Sequence, residues 1–195
     1  LDDNFAVAIP RIEYMVPLFK DLPIRWGSHT RMDEAADPRR IKPMAEARCN
    51  YIGFGMESAH PKTLENIGKG GHILSLGLES IKVDGTVYMV PRSETMAIRN
   101  CLNYGIHANC TSIMGSPGET LEGLKHTVGF IRWQEKLYDL HNIPSGAVNK
   151  QMFTMTWYPG TELIKYEKVR TELTRAFGLK FKPTTNPRCP YEPVC

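Results

Sequence analysis

Five short stretches of this sequence gather the residue types that chemistry uses. They are Asp2-Asp3-Asn4-Phe5, Ser28 to Asp33, Gly55-Met56-Glu57-Ser58, Met114 to Glu119 and Trp157 to Glu162. Asp2 and Asp3 can hold an ammonium group or a metal, or form a solvated turn pair. Arg31 beside Asp33 can clamp a carboxylate, or make a surface pair of little energetic weight. Glu57 and Ser58 together suit ribose hydroxyls, as an acidic residue does in dinucleotide folds. Ser58 equally suits a helix N-cap. In Gly115-Ser116-Pro117-Gly118 the proline fixes one φ and removes a donor, while the glycines permit φ > 0 and close approach of a ligand. Glu119 then complements the dipole of the helix that follows. That turn lacks the Lys-Ser/Thr ending of a P-loop, which disfavours a nucleoside triphosphate. Tyr158 is either a hydrogen-bonding group for a substrate or an amphipathic rim residue. The six histidines (29, 60, 72, 107, 126 and 141) show no ligand spacing, so metal binding by them is not expected. No Ser-His-Asp or Cys-His pairing can be argued from order alone, and no catalytic acid or base is assigned.

The elements that must position these groups alternate between strand and helix. Ile106, Ala108 and Cys110 alternate with His107, Asn109 and Thr111, the period of two that a strand with unlike faces requires. Ile113 and Met114 extend that run, and a helix is expected over 119–138 with Leu121, Leu124, Val128 and Ile131 on one stripe. Upstream, helical spacing covers 10–20, where Pro17 should kink or shorten the helix. A short strand is expected at 23–26, with 27–33 as its polar exit. Asp37 caps a helix from Pro38 to about Cys49, Tyr51–Met56 is a strand, and Pro61–Ile67 is a short helix closed by Gly68, Gly70 and Gly71. Residues 72–91 have weak periodicity and read as an irregular insertion. Further helices are expected over 93–103 and 161–177, with a strand within 146–156. From Gly178 the chain turns basic and proline-rich, as an extended or poorly ordered tail does. Alternating strands and helices imply right-handed βαβ units and a parallel sheet. All five polar stretches then fall at strand C-terminal ends, the ends that line one mouth in a barrel or open α/β sheet.

Composition narrows the class. A chain of 195 residues, 42% apolar and 23% charged, fits one globular domain with a full core. A net charge of +3 without a basic run gives no indication of nucleic acid binding. No apolar stretch approaches the roughly 18 residues that span a bilayer. Five cysteines at wide spacing, with no C-x-x-C, read as buried reduced thiols of a cytoplasmic protein. The first residue is Leu, and Leu1 to Phe5 looks like the exit of a strand whose beginning is missing, so the chain reads as a fragment or a truncated gene product.

Together these stretches resemble the radical S-adenosylmethionine (SAM) superfamily, nearest to the branch with an N-terminal cobalamin-binding domain. That branch includes methyltransferases and the anaerobic magnesium-protoporphyrin monomethyl ester cyclase. Asp2-Asp3-Asn4-Phe5 resembles the second strand's exit, where the family holds the methionine amino group. Arg31 and Asp33 match an R-x-D after the third strand. Gly53 to Ser58, followed by Leu64, Ile67, Lys69 and Gly70, matches G-x-E-S…L-x-x-I-x-K-G, whose residues meet ribose or the methionine carboxylate. Ile113-Met114-Gly115 through Glu119 matches I-x-G-x-x-E, which contacts adenine, and Thr156 to Leu163 resembles the sixth exit, Y-P-G-T-x-L. The resemblance implies a partial parallel (β/α) barrel over residues 1–177, truncated at its N-terminal side, with 178–195 as a tail. It implies SAM held by Asp2, Asp3, Arg31, Glu57, Ser58, Ile113, Met114, Gly115, Glu119 and Tyr158.

One departure bears on activity. The family's C-x-x-x-C-x-x-C motif, whose three thiolates hold a 4Fe-4S cluster, is absent. The cluster, and cobalamin with it, would therefore belong to a full-length parent with an upstream segment or domain. The parent would cleave SAM reductively and then abstract hydrogen, transfer methyl or close a ring at an unreactive carbon, its substrate unspecified. This chain alone is expected to be inactive. Two other readings stand beside this one: a non-catalytic nucleoside-binding or structural protein, and an unrelated barrel enzyme using Asp2, Asp3 and Glu57 for metal or acid–base work.

Overall fold

The computed structural model describes residues 4–155, 165–185 and 191–194. Four strands form one parallel sheet in the order β1 (Trp26–His29), β2 (Cys49–Glu57), β5 (His107–Met114) and β6 (Met152–Thr154). The helices between them are α1 (Ile9–Lys20), α2 (Met32–Ala35), α3 (Pro38–Glu46), α4 (Pro61–Asn66), α5 (Gly70–Ile73), α6 (Arg92–Asn103), α7 (Leu121–Leu140) and α8 (Glu167–Phe177). This is the α/β class expected from the alternation. Among the described residues the strands form an open four-stranded sheet, not a closed ring.

Strand alternation decides where the core sits. Ile52, Phe54 and Met56 of β2 point to one face with Ala108 and Cys110 of β5. They form a single apolar cluster with Ile41 and Met44 of α3, Ala97 and Ile98 of α6, and Phe130 of α7. Asp37 accepts a hydrogen bond from Arg39 N at 3.0 Å and Thr120 from Gly123 N at 3.1 Å, so α3 and α7 each begin on a side-chain cap. The α3 helix ends at Glu46, short of Cys49, because Arg48 takes φ +68° and turns the chain into β2.

Several boundaries differ from the sequence expectation. Pro17 lies inside α1, which continues to Lys20 with Ile12 and Val16 buried one turn apart. The first strand lies at 26–29 and not at 23–26. Trp26 anchors it by donating from its indole Nε1 to Ala47 O at 2.7 Å while its ring packs on Phe5 and Phe19. Gly68, at φ +77°, does end α4, but Gly70 and Gly71 begin a further turn of helix. Residues 72–91 are not irregular. They hold an antiparallel hairpin of β3 (Leu78–Val83) and β4 (Thr86–Pro91), closed by Asp84 and Gly85 at φ +51° and +82°. An Asp-Gly pair in that conformation is the two-residue turn whose twist matches the strands. The strand expected within 146–156 shrinks to β6. The C-terminal stretch pairs, β7 (Lys180–Pro183) running antiparallel to β8 (Tyr191–Val194).

Among the described residues no helix is long and apolar enough to cross a membrane. The core contains one anomaly. Glu94, in the first turn of α6, is fully buried, and among the described residues neither carboxylate oxygen has a hydrogen-bond partner. Burial pushes its pKa well above 4.5, only partly opposed by the charge of Lys69. The folded state therefore keeps a proton that the unfolded chain releases near pH 4.5. Stability is full below that pH and falls as pH rises toward the folded value. Glu94→Met, apolar and of similar length, should stabilise the chain by about 1–3 kcal/mol at pH 8 and flatten this slope. Urea unfolding at pH 5 and pH 8 reads both effects.

Candidate functional site

β2 and β5 run parallel as neighbours with Glu57 opposite Ser112, so Glu57 and Gly115 leave the sheet at the same end. The ladder shifts register between Gly55 and Glu57, and Glu57 takes φ +63°, uncommon for a residue with a Cβ. This folds its side chain back along the strand. A Cβ on Gly55 would lie 2.9 Å from Glu57 Oε1, so a larger residue there would shift the carboxylate. Lys69 Nζ fixes the carboxylate from the other side at 2.5 Å and reaches Gly55 O at 3.4 Å. Lys69 stands there because Gly68 ends α4 and the Lys69 N–H bonds back to Leu64 O.

The turn after β5 is organised by its own backbone. Gly115, at φ +82°, donates its N–H to Glu119 Oε2 at 2.6 Å, and the Glu119 N–H returns to Ser116 O at 2.9 Å. Gly118, at φ +68°, donates to Glu172 Oε2 of α8 at 3.0 Å, and Asn66 Nδ2 donates to Pro117 O at 3.1 Å. Two buried atoms here, Ser116 Oγ and Glu119 Oε1, have no hydrogen-bond partner among the described residues. Half-buried Ile113 and exposed Met114 precede this turn and point to opposite faces of β5. Glycine leaves open space at Gly115, where a Cβ would meet nothing within 4 Å.

The other expected groups divide. Arg31 and Asp33 sit at the exit of β1 in a two-pronged pair at 3.0 and 2.9 Å, which raises the Arg31 pKa further. A ligand carboxylate there has to displace Asp33. Ser58 turns inward and is fully buried; its hydroxyl meets Thr127 Oγ1 at 3.1 Å and accepts from His60 N at 3.1 Å. Turned inward, Ser58 does not meet the ribose; it is not a helix cap either, because His60 stands at the N-cap of α4 and no side chain caps that helix. The Ser58 hydroxyl is committed to the protein interior. Asp2, Asp3 and Tyr158 lie outside the described residues. Lys69 is a residue that reading by role missed: it stands in the G-x-E-S…K pattern, but its pairing with Glu57 depends on the turn at Gly68.

The described residues fit a nucleoside better than a metal cluster. Glu57 offers a carboxylate acceptor at the same end of the sheet as the open glycine turn at Gly115, groups that suit sugar hydroxyls better than a metal cluster. No group of three His, Cys, Asp or Glu side chains among them can hold a metal ion. Cys49, Cys101 and Cys110 are free thiols buried in the core, and burial pushes Cys49 up to about 11 and the others higher still. A thiol so desolvated is a poor source of the thiolate that an iron–sulfur cluster requires.

Fold and rim thus define an α/β protein whose parallel strands open their C-terminal ends on one polar edge. No family model matches the chain. It is similar to an uncharacterised methyltransferase of Pyrococcus horikoshii, 28% identical over 169 residues, or 85% of this chain and 30% of that protein. It is also similar to bacteriochlorophyllide d C-8(2)-methyltransferase of Chlorobaculum tepidum, 21% identical over 162 residues, 83% of this chain and 30% of that one. The chain spans about 30% of the length of these curated relatives. Among solved structures it resembles the cobalamin-dependent SAM radical enzyme OxsB with aqua-cobalamin and SAM bound. There the TM-score is 0.59 at 16% identity, over 97% of this chain and 30% of that one. It also resembles the radical SAM methyltransferase TsrM of Kitasatospora setae, with a TM-score of 0.51 at 16% identity, over 96% and 33%.

Ser58→Ala removes a buried hydrogen-bonding hub and should cost about 1–3 kcal/mol in urea unfolding. It should leave SAM affinity, measured by calorimetry, unchanged; a parallel fall in affinity would return Ser58 to the ligand.

Proposed function

We propose that this chain is the SAM-binding part of a radical SAM methyltransferase of the cobalamin-binding branch, with its strands forming part of a parallel (β/α) barrel. The observation that carries this reading is the emergence of Glu57 and Gly115 side by side from neighbouring parallel strands. In this proposal the Glu57 carboxylate accepts hydrogen bonds from ribose hydroxyls, and Lys69 holds it over Gly55. Ile113, Met114 and Gly115 receive the adenine, with Glu119 keeping the turn closed through the Gly115 N–H. Arg31 would face the methionine carboxylate, while Asp2 and Asp3 for the methionine amino group, and Tyr158, rest on the sequence resemblance alone. Both curated relatives are named methyltransferases, which favours methyl transfer over ring closure.

SAM supplies the methyl group; the chain's own residues bind and orient it. The described thiols do not suit an iron–sulfur cluster, so the cluster, cobalamin and substrate groups are assigned to segments beyond these residues. The chain alone is then expected to bind SAM without transferring methyl. The competing reading, a non-catalytic SAM-binding protein, is favoured by that same set of buried thiols. The buried unpaired cysteines support a cytoplasmic setting.

Calorimetry of the 195-residue chain with SAM tests the proposal. Binding is expected, with Glu57→Gln weakening it about tenfold by removing a charged acceptor. Gly115→Val should abolish it, because a β-branched residue resists φ +82°. No SAM binding, or binding indifferent to both substitutions, overturns the assignment. Methyl transfer by the protein with its upstream segment would separate the enzyme from the silent binder.

A further inference from the structure

Two glycines at positive φ shape the turn after β5, and a carboxylate takes the N–H of each. Glu119 serves Gly115 from within the turn, whereas Glu172 serves Gly118 from α8, 54 residues further along the chain. On the other flank α4 holds the turn, through the bond from Asn66 Nδ2 to Pro117 O. Three elements thus meet at Pro117–Gly118, and the attachment of α8 is the light one. Among the described side chains of that helix only Val169 and Leu173 are buried, on the stripe that also carries Glu172. Neither belongs to the apolar cluster of the core. The Glu172–Gly118 bond is open to water, so it can break without stranding a buried group. The helix ends at Gly178, whose φ of +69° lets the chain change direction there.

Space lies on both sides of that bond. A cavity of about 410 Å³ opens between α8 and the end of α4, lined by Asn66, Ile67, Gly68 and Tyr166. Another of about 390 Å³ opens between α8 and the start of α7, lined by Ser116, Glu119, Thr120 and Arg175. Pro117, Gly118, Val169 and Glu172 border both, so the Glu172–Gly118 bond and the Val169 side chain form the partition between them. The second cavity also borders Ser116 and Glu119, whose Oγ and Oε1 are the buried atoms of this turn without a partner among the described residues. Each such atom costs about 1–3 kcal/mol. The turn in this form is therefore held at a cost that a second arrangement, open to water or ligand, would remove.

We infer that α8 is a latch on the rim, with Glu172 as its catch, and that breaking the Glu172–Gly118 bond opens the turn for SAM to enter and leave. The inference rests on reading the rim as the SAM site, and it adds how access to that site is regulated. With the bond made, the partition stands and the Gly115–Gly118 turn is fixed on both flanks. With it broken, the two cavities join into one groove along α8, and Ser116 Oγ and Glu119 Oε1 gain partners. Asn66 keeps its hold on Pro117, so the turn stays anchored on one flank while the other is released. Glu172 is thus a positioning residue, acting on the ligand through the Gly118 backbone.

The test uses the 195-residue chain and two measurements, with thermal melting to confirm that each variant folds. The first is amide hydrogen exchange without ligand, read by mass spectrometry. Glu172→Ala should speed exchange across residues 115–119 about tenfold. Peptides from β2 and β5 should not change, which sets a local latch apart from general loosening. Glu172→Gln keeps an acceptor oxygen and should fall between the two, while Leu173→Ala, which loosens α8 from its apolar side, should act like Glu172→Ala. The second measurement is the kinetics of radiolabelled SAM binding by rapid filtration. Glu172→Ala should raise the association and dissociation rate constants by a similar factor, leaving Kd within about twofold of the parent chain. Exchange unmoved by Glu172→Ala overturns the inference, and so does faster exchange with unaltered rate constants. A weaker Kd at an unchanged association rate also overturns it, since Glu172 would then support the bound ligand instead of its passage. A parent chain that binds no SAM overturns the rim and its gating together, whereas failure of the latch alone leaves SAM binding intact.

Discussion

The pairing of β2 with β5 is the constraint on which the rest depends. Six residue pairs from Tyr51–His107 to Glu57–Ser112 fix which side chains share a face and which loops share an end. A slip of one residue would send Phe54 and Cys110 out of the core and the glycines into it. The same register that buries Ile52, Phe54 and Met56 therefore sets Gly53, Gly55 and Glu57 on the opposite face. Core packing and site geometry are two consequences of a single ladder, and neither can be altered without the other.

Around that ladder the site is built by subtraction. The missing Cβ at Gly55 leaves room for the Glu57 carboxylate beside Lys69, and the glycine at 115 lets the turn after β5 take φ +82°. The cost is borne by the backbone, with Glu57 held at positive φ by the sheet on one side and the ion pair on the other. A pair whose lysine is exposed to solvent fixes geometry more than it adds stability. That suits a rim whose task is to present a carboxylate in one position. Glu119 follows the same logic in the next loop, its Oε2 closing the turn while Oε1 remains buried without a partner among the described residues.

Much of this was legible from residue order. The alternation around Ile106–Thr111 found β5, the cap at Asp37 found α3, and glycine-bearing exits found the rim, because each depends on local spacing. What escaped depended on distant contacts. The start of β1 is set by Trp26 reaching Ala47, and Ser58 is drawn inward by Thr127, which lies 69 residues away. Lys69 gained its meaning only when the turn at Gly68 placed it beside Glu57 and Gly55. The hairpin at 78–91 was a different kind of miss, since the Asp84-Gly85 pair is a local signal that weak apolar periodicity obscured. Arg31 and Asp33 were legible as a pair, and of the two readings offered for them the mutual pair is the one the structure holds.

The hairpin also reaches beyond its own strands. The Tyr88 ring of β4 occupies the space beside Gly129, where a Cβ would come within 2.6 Å of it, midway along α7. Asp84 at the hairpin's tip meets Lys136 at 2.7 Å, two turns further along the same helix. A segment that precedes β5 in the chain thus grips the helix that follows β5, so the crossover is belted from outside. The hairpin thus buttresses the helix whose first turn adjoins the glycine loop, so that a larger residue at Gly129 would press on the outer ribbon.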